Sequence, residues 1–302
     1  MSEIEWKDFI GKIRSEVGDT LIEDKKKSEE LLEKAIIEAV KKGIVKKGKV
    51  GVCFSGGVDS TTISMILKRL NADFTCYSVG TESAEDLVWA KRAAKEFGFR
   101  LKTKVLTDND IEKILKKLAG FIEEFDIIKA GVGCVTYAAI ELAKKDKIKV
   151  IFTGLGSEEI FAGYQRHLES KNVNEECWKG LSLMYKRDMI RDMPIAEKFK
   201  IKVCTPFLDK EVISIAMRIP DKYKINMEQN KIILREVAER ESIGLTREFS
   251  QRKKRAAQYG SRIDKAIERI GKKNGFRKKS DYIRSLASAG QKNRILNERI
   301  LM

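Results

Sequence analysis

The stretch "KVGVCFSGGVDSTTISMILKRL", Lys49 to Leu70, decides the fold. A short apolar run from Val50 to Phe54 leads into Ser55, Gly56 and Gly57, then Asp59 and a hydroxyl-rich helix start that includes Ser60. Two adjacent glycines in a strand-to-helix turn let the backbone adopt positive φ and let a ligand come close to the main chain. The turn also leaves the first N–H groups of the helix without intrahelical partners and aims them at solvent, a ready site for phosphate.

The flanking sequence repeats this alternation. Before it, "SEELLEKAIIEAVKKGI" carries Leu31, Leu32, Ala35, Ile36, Ala39 and Val40 at helical spacing behind a Ser28 cap, which predicts an amphipathic helix. After the first strand the pattern predicts a helix over Thr61 to Leu70, a strand over Phe74 to Val79, a helix over Ala84 to Phe97 and a strand over Arg100 to Leu106. Helices around Ile111 to Phe125 and Val132 to Lys144 follow, then a strand from Lys149. Short strands separated by helices indicate parallel pairing, an α/β doubly wound parallel sheet with an N-terminal helix and a C-terminal helical region. In such sheets ligands sit at the carboxyl ends of the strands. Both "SGGVDS" and "TGLGSEE" fall there, so one site is expected from the two. The expected organisation is a helical segment 1–47, an α/β core 48–171, a helical subdomain 172–264 and a basic tail 265–302.

Composition narrows the class. The chain has 302 residues, 42% apolar and 35% charged, which suits a globular, soluble protein. No stretch approaches the roughly 18 to 20 uncharged apolar residues of a membrane helix, and "MSEIEWKDFI" lacks the layout of a signal peptide, so a cytoplasmic protein with no membrane partner is expected. The five cysteines stand singly, with no C-x-x-C pair, and read as small hydrophobes. His167 is the only histidine. A net charge of +16 invites a nucleic-acid reading, but lysine and glutamate are both abundant, as in heat-adapted proteins, and charge alone does not decide.

The loop is not a G-x-x-x-x-G-K-[ST] motif, because no lysine sits where a β/γ-phosphate cradle needs it. A bare carboxylate at Asp59 would repel phosphate. Either Asp59 holds Mg²⁺ that bridges to phosphate oxygens, or it caps the helix. "VIFTGLGSEEIFAGYQRH", Val150 to His167, places Glu158 and Glu159 at a second strand end, where they share a metal with Asp59 or simply begin an acidic helix.

"SGGVDS", "TGLGSEEIFAGY", "TPFLDKEVISIAMRIP" and "RKKRAAQYGS", in this order, resemble the synthetase domain of asparagine synthetases within the ATP pyrophosphatase (PP-loop) superfamily, over about Val50 to Ile263. The resemblance implies an adenine nucleotide alpha hydrolase-like fold, with ATP and Mg²⁺ as cofactors. It implies that a substrate carboxylate attacks the α-phosphate, releasing pyrophosphate, and that ammonia then displaces AMP to give an amide. Carried over by motif, Ser55, Gly56, Gly57, Asp59 and Ser60 hold pyrophosphate and Mg²⁺, and Glu158 is the second metal carboxylate. Val79, Gly80, Thr153 and Gly154 line the adenosine site, Lys254 neutralises charge on the phosphate, and Asp209 lies near the amino-acid substrate. Lys253 stays open as the alternative to Lys254, and a solvated basic face as the alternative to both.

Three departures qualify the resemblance. Fewer than fifty residues precede the loop and Ser2 stands where the family's glutaminase domain has its cysteine. Nitrogen is then expected from ammonia, an amine or a separate glutaminase subunit. Leu155 replaces a glutamate that helps handle incoming ammonia in "TGEGADE", and a leucine takes no proton. Glu158 replaces an aspartate, and its extra methylene still reaches Mg²⁺. The reading is therefore adenylation of a small carboxylate, aspartate or a relative, followed by amide formation. The alternative is a PP-loop enzyme modifying tRNA or another RNA, supported by the net charge and by Lys272, Lys273, Arg277, Lys278 and Lys279, with Phe276 and Tyr282 as stacking partners. A homo-oligomer is left open.

Overall fold

The computed structural model describes residues 2–45 and 48–301, with 293–301 described by backbone alone. The expected boundary at Lys47 and the end of the tail at Met302 lie outside the described residues. Two helices precede the sheet, α1 (Glu3–Val17) and α2 (Lys25–Lys42), where one was expected. The stripe Trp6, Ile10, Ile13 and Val17, at spacings of four, three and four, buries one face of α1.

The glycine-rich stretch then folds as the pattern requires. Strand β1 (Val50–Cys53) feeds α3 (Val58–Arg69), and β2 (Phe74–Gly80), α4 (Glu85–Phe97) and β3 (Leu101–Val105) follow. Helices α5 (Asp108–Ala119) and α6 (Ile127–Lys145) return the chain to β4 (Val150–Phe152). Short helices α7 (Ser157–Ile160) and α8 (Gln165–Leu168) lead to α9 (Val173–Met184), a π-helical turn at Tyr185–Met189 and α10 (Ile190–Lys198). Strand β5 (Lys202–Cys204), α11 (Lys210–Met217), α12 (Ile232–Glu239), α13 (Arg247–Ser250), α14 (Ala257–Gly260), α15 (Ile263–Lys273) and α16 (Lys279–Leu301) complete the chain.

All strand pairs are parallel and the order is β3-β2-β1-β4-β5, a doubly wound α/β sheet as expected. The chain leaves β1 towards β2 and β3, then returns to β4 on the other side. A crevice therefore opens between the carboxyl ends of β1 and β4, the topological switch point at which open α/β sheets bind ligands. Alternate residues face opposite sides. Val50, Val52, Phe74, Cys76 and Phe152 join one apolar cluster, with α1–α4, α9, α11 and α12 around it. Tyr77, Val79 and Ile151 join the other, with α5, α6, α10, α15 and α16.

The expected division at 171/172 does not hold as a boundary. The segment read as wholly helical supplies β5, and its Cys177, Leu181, Phe207 and Leu234 share one cluster with the sheet. The boundary at 264/265 falls inside α15, so the basic tail begins within a packed helix. Ile263, Ala266, Ile267 and Ile270 form a buried stripe under its lysines. At roughly 2 kcal/mol per buried isoleucine, that stripe outweighs the tendency of surface lysines to stay solvated. No described helix is long and apolar enough to cross a membrane.

Candidate active site

The loop after β1 is shaped by what surrounds it. Gly56 has φ +66°, and a Cβ there would lie 2.7–2.9 Å from backbone atoms of Trp89 and Ala90 on α4. Only glycine meets both constraints. Gly57 is extended (φ −85°) and begins α3 without a side-chain cap; a Cβ on it would lie 2.5 Å from Lys254 Cδ. Positive φ is thus needed at the first glycine alone, while the second lets a lysine stem cross the loop. The Gly57 N–H donates to Ser55 Oγ at 3.4 Å, and the Ser55 and Ser60 hydroxyls also lie 3.4 Å apart. Arg252 pins the crossing segment, donating to the Ser55 carbonyl at 2.7 Å and to buried Asp86 at 2.8 Å.

The second loop abuts the first. A Cβ on Gly154 would sit 2.8 Å from Asp59 Cβ, one on Gly156 (φ +96°) would collide with Leu208, and one on Gly163 would collide with Glu158 Oε2. Close backbone approach from both strand ends brings Asp59 and Glu158 onto one point. At that point sits the Lys231 ammonium, 2.8 and 2.9 Å from the two Asp59 oxygens, 2.7 Å from Glu158 Oε1 and 3.1 Å from Ser157 Oγ. Asp59 therefore does not cap its helix. Burial alone would raise the Asp59 carboxyl; Lys231, at contact distance, and Lys254 hold it below the usual range. Burial opposes charge on Lys231, and Asp59 and Glu158 overcome it and raise its pKa.

Lys231 is a residue that sequence reasoning missed. It precedes α12 in a left-handed conformation, φ 54°, with its side chain 4% exposed. Its ammonium occupies the point at which the two carboxylates were expected to share a metal. The donor set, two carboxylates and a hydroxyl around a cationic centre, is hard oxygen chemistry that fits Mg²⁺ once substrate phosphates supply the remaining ligands. Among the described residues no group of three or more His, Cys, Asp or Glu could hold a metal. A divalent ion bound between Asp59 and Glu158 would have to displace the Lys231 ammonium from that point.

A cavity of about 430 Å³ opens over this point, and Ser55, Asp59, Ser60, Val79, Thr153, Gly154, Leu155, Glu158 and Lys254 all line it. A second groove of about 730 Å³ shares Asp59, Glu158 and Lys254 and adds Lys231, Arg235 and Arg252. Lys253 is exposed and lines only this outer groove, whereas Lys254 lines both. Four expected residues do not line the cavity: Gly56 and Gly57, which shape the loop as described above, and Gly80 and Asp209. A Cβ on Gly80 would meet Ala84 at 2.6 Å and the Ser261 carbonyl at 3.3 Å, so Gly80 permits packing rather than lining a nucleoside site. Asp209 caps α11 by accepting from the Glu211 N–H, and it pairs with Lys42 at 2.6 Å in a separate groove beside β5. The reason is local: Phe207 and Leu208 turn inward beneath Gly156, and the aspartate that follows is left to start the next helix.

The far wall of the cavity is a polar chain. Glu159 accepts from Tyr164 Oη at 2.9 Å and from Arg187, which also donates to Asp188 at 2.7 Å. Arg191 continues it to Asp188 at 3.0 Å and Asp192 at 2.7 Å. The π-helical turn at Tyr185–Met189 aims Arg187 and Asp188 inward, a frequent use of such turns. Burial pushes Glu159 up to about 7 despite Arg187. His167 is fully buried, accepts from the Tyr164 N–H at 3.0 Å and is pushed down to about 4 by burial, so it stays neutral and structural. Cys76, Cys134 and Cys177 are buried, and Cys53 and Cys204 half-buried. Tyr282 is buried with its ring 5.5 Å from half-buried Phe276, so the tyrosine of the expected RNA-stacking pair is not at the surface.

The asparagine synthase family model matches residues 31–192 and 169–280. A Methanocaldococcus jannaschii protein assigned by name to the glutamine-hydrolyzing asparagine synthetases is 34% identical over 290 residues, covering 83% of this chain and 53% of its own length. Asparagine synthetase B (glutamine-hydrolyzing) of Escherichia coli K12 is 27% identical over 227 residues, covering 69% of this chain and 41% of its own. The chain thus spans about half the length of the curated relatives it matches. Among solved structures, an NMN synthetase from Francisella tularensis aligns over 90% of this chain and 96% of its own at 9% identity and a TM-score of 0.43, too slight a likeness to bear on function.

Proposed function

The chain belongs to the asparagine synthase family, and from that membership we propose that it is an ATP-dependent ligase that adenylates a small carboxylate and passes the acyl group to ammonia or an amine. One observation carries the reading: Asp59 and Glu158, from the two strand ends at the switch point, converge on a single cationic position beside the Ser55–Gly57 loop.

The N–H groups at the start of α3 receive the departing phosphates, supported by the Ser55 and Ser60 hydroxyls. Val79, Thr153 and Gly154 face the nucleoside. Asp59 and Glu158 would hold Mg²⁺, which when bound would supply positive charge that offsets phosphate repulsion. Lys231 shares that task, and Lys254, its stem lying across Gly57, is placed to meet charge that develops at the α-phosphate. A carboxylate oxygen attacks the α-phosphorus, the bond to the bridging oxygen breaks, and pyrophosphate leaves through the basic outer groove. A nitrogen nucleophile then attacks the acyl carbon and AMP departs. Aspartate or a related acid is the expected substrate. The relatives are named as glutamine-hydrolyzing, so a glutaminase supplying the ammonia, including one on a separate subunit, fits the same chemistry.

The test is product identity. With ATP, Mg²⁺ and a panel of small carboxylates, AMP and pyrophosphate should form only when an accepted acid is present, and Asp59→Ala should abolish this while the far-ultraviolet spectrum is kept. ADP and orthophosphate as products would refute the reading.

A further inference from the structure

We propose that Gln258 reads the base of the nucleotide, its carboxamide selecting adenine over 6-oxopurines; this rests on the nucleotide reading of the cavity given above. Gln258 belongs to α14, which is anchored at the end of β2 by the Thr81 N–H donating to the Ser261 carbonyl at 3.0 Å. The side chain lines the same cavity as Val79 and Thr153. It is 9% exposed, and its Oε1 has no hydrogen-bond partner among the described residues. A Cβ on Gly131 of α6 would lie 2.9 Å from Gln258 Cβ, so the stem is held against α6 and only the carboxamide end is left to turn.

The surroundings specify the partner. Val79, Val132, Val135 and Ala139 give this part of the cavity an apolar wall, which suits a flat heterocycle. A buried carboxamide oxygen without a partner bears its desolvation until a ligand satisfies it. It offers one acceptor and two donors in a single plane. Adenine presents an amino donor beside a ring-nitrogen acceptor, the complement of that pair, and glutamine reads adenine in this bidentate way elsewhere. On that N6/N7 edge a 6-oxopurine replaces the amino donor with a second acceptor, so one of the two bonds is lost however the carboxamide turns. The phosphate grip at Asp59 and Lys231 is shared by all nucleoside triphosphates and supplies no such choice.

The experiment is calorimetric titration of the full chain, with Mg²⁺, by ATP, inosine triphosphate and purine riboside triphosphate, which has no 6-substituent. The wild-type protein should bind ATP on the order of 10-fold or more tighter than either analogue, as a bidentate base contact implies. In Gln258→Ala and the volume-conserving Gln258→Met, ATP affinity should fall to the level of inosine triphosphate, with inosine triphosphate itself changed less than about 3-fold. Asp59→Ala should weaken all three ligands alike. Should the alanine variant not fold, the methionine variant and the wild-type comparison decide. Equal wild-type affinity for the three ligands, or an ATP preference kept in Gln258→Met, overturns the assignment to Gln258 while leaving the nucleotide site intact. No binding of any triphosphate to the wild-type protein overturns both.

Discussion

Replacing Lys231 with alanine tests the electrostatic centre of the site. The ammonium lies within 2.7–2.9 Å of three carboxylate oxygens on Asp59 and Glu158, and its side chain is 4% exposed. Removing one partner of a fully buried pair costs about 3–5 kcal/mol, because the remaining charge is left uncompensated. Asp59 is 14% exposed but Glu158 is 38% exposed, so water screens part of that cost and about 2–4 kcal/mol is the reasoned loss. Alanine rather than glycine is the right substitution, since glycine would relieve the left-handed backbone at this position and mask the effect. In a chain of 302 residues the loss lowers the melting temperature by roughly 3–6 °C. Mg²⁺ can take the vacated position, and at 100 times its dissociation constant it returns about 2.7 kcal/mol. Thermal melts with and without Mg²⁺ should therefore show a large metal-dependent recovery in Lys231→Ala and a smaller one in the wild-type protein. A variant that melts within a degree of wild type, or that gains no more from Mg²⁺, would refute the reasoning.

Gly56→Ala forces a side chain into a left-handed conformation and against the α4 backbone, and should lose about 4 kcal/mol in urea unfolding together with nucleotide binding; unchanged stability would show that the loop has room to move. Glu159→Gln should depend on pH. The folded pKa, about 7, lies above the ordinary 4.5, so the contribution of this group to stability is complete below pH 4.5 and is lost as pH rises through 7. The glutamine variant should gain on wild type by up to roughly 3 kcal/mol at pH 8 and not at pH 4.5, and a gap independent of pH would contradict this. Leu155→Glu places a carboxylate on the cavity wall at the position where the resemblance implies one; ammonia-dependent amide formation from aspartate should rise, and no change would mean that the position does not meet the incoming nitrogen.

Much of the architecture is legible because it follows from local rules. Strands β1, β2 and β4 announce themselves as apolar runs bounded by breakers, and β3, LKTKV, as a short run between a helix and the Thr107 cap. The loop residues Ser55 to Ser60 and the turn from Thr153 to Glu158 are marked by glycines after strands. What was not legible depends on tertiary context. Strand β5 is three residues long on a sheet edge and begins with a lysine, so it has no apolar run to show. Lys231 is one of 61 basic residues and lies 172 positions from Asp59, and nothing in "NKIILRE" distinguishes it from a solvated helix start. Asp209 reads as part of a motif, but its side chain is taken up by the α11 cap and Lys42. The amphipathic stripe of α15 is written in the sequence at helical spacing, yet the density of charge around it reads as a solvated tail until its packing against α5 is seen.

The account stands on where the phosphates of a nucleotide come to rest. A crystal structure with Mg²⁺ and an ATP analogue that resists cleavage between the α and β phosphates should show the β and γ phosphates against the N–H groups following Gly56. The metal should touch both Asp59 and Glu158, with Lys231 displaced from between them onto a phosphate oxygen. A triphosphate lodged away from the switch point, or Asp59 and Glu158 still closed on Lys231 with no metal between them, would contradict it.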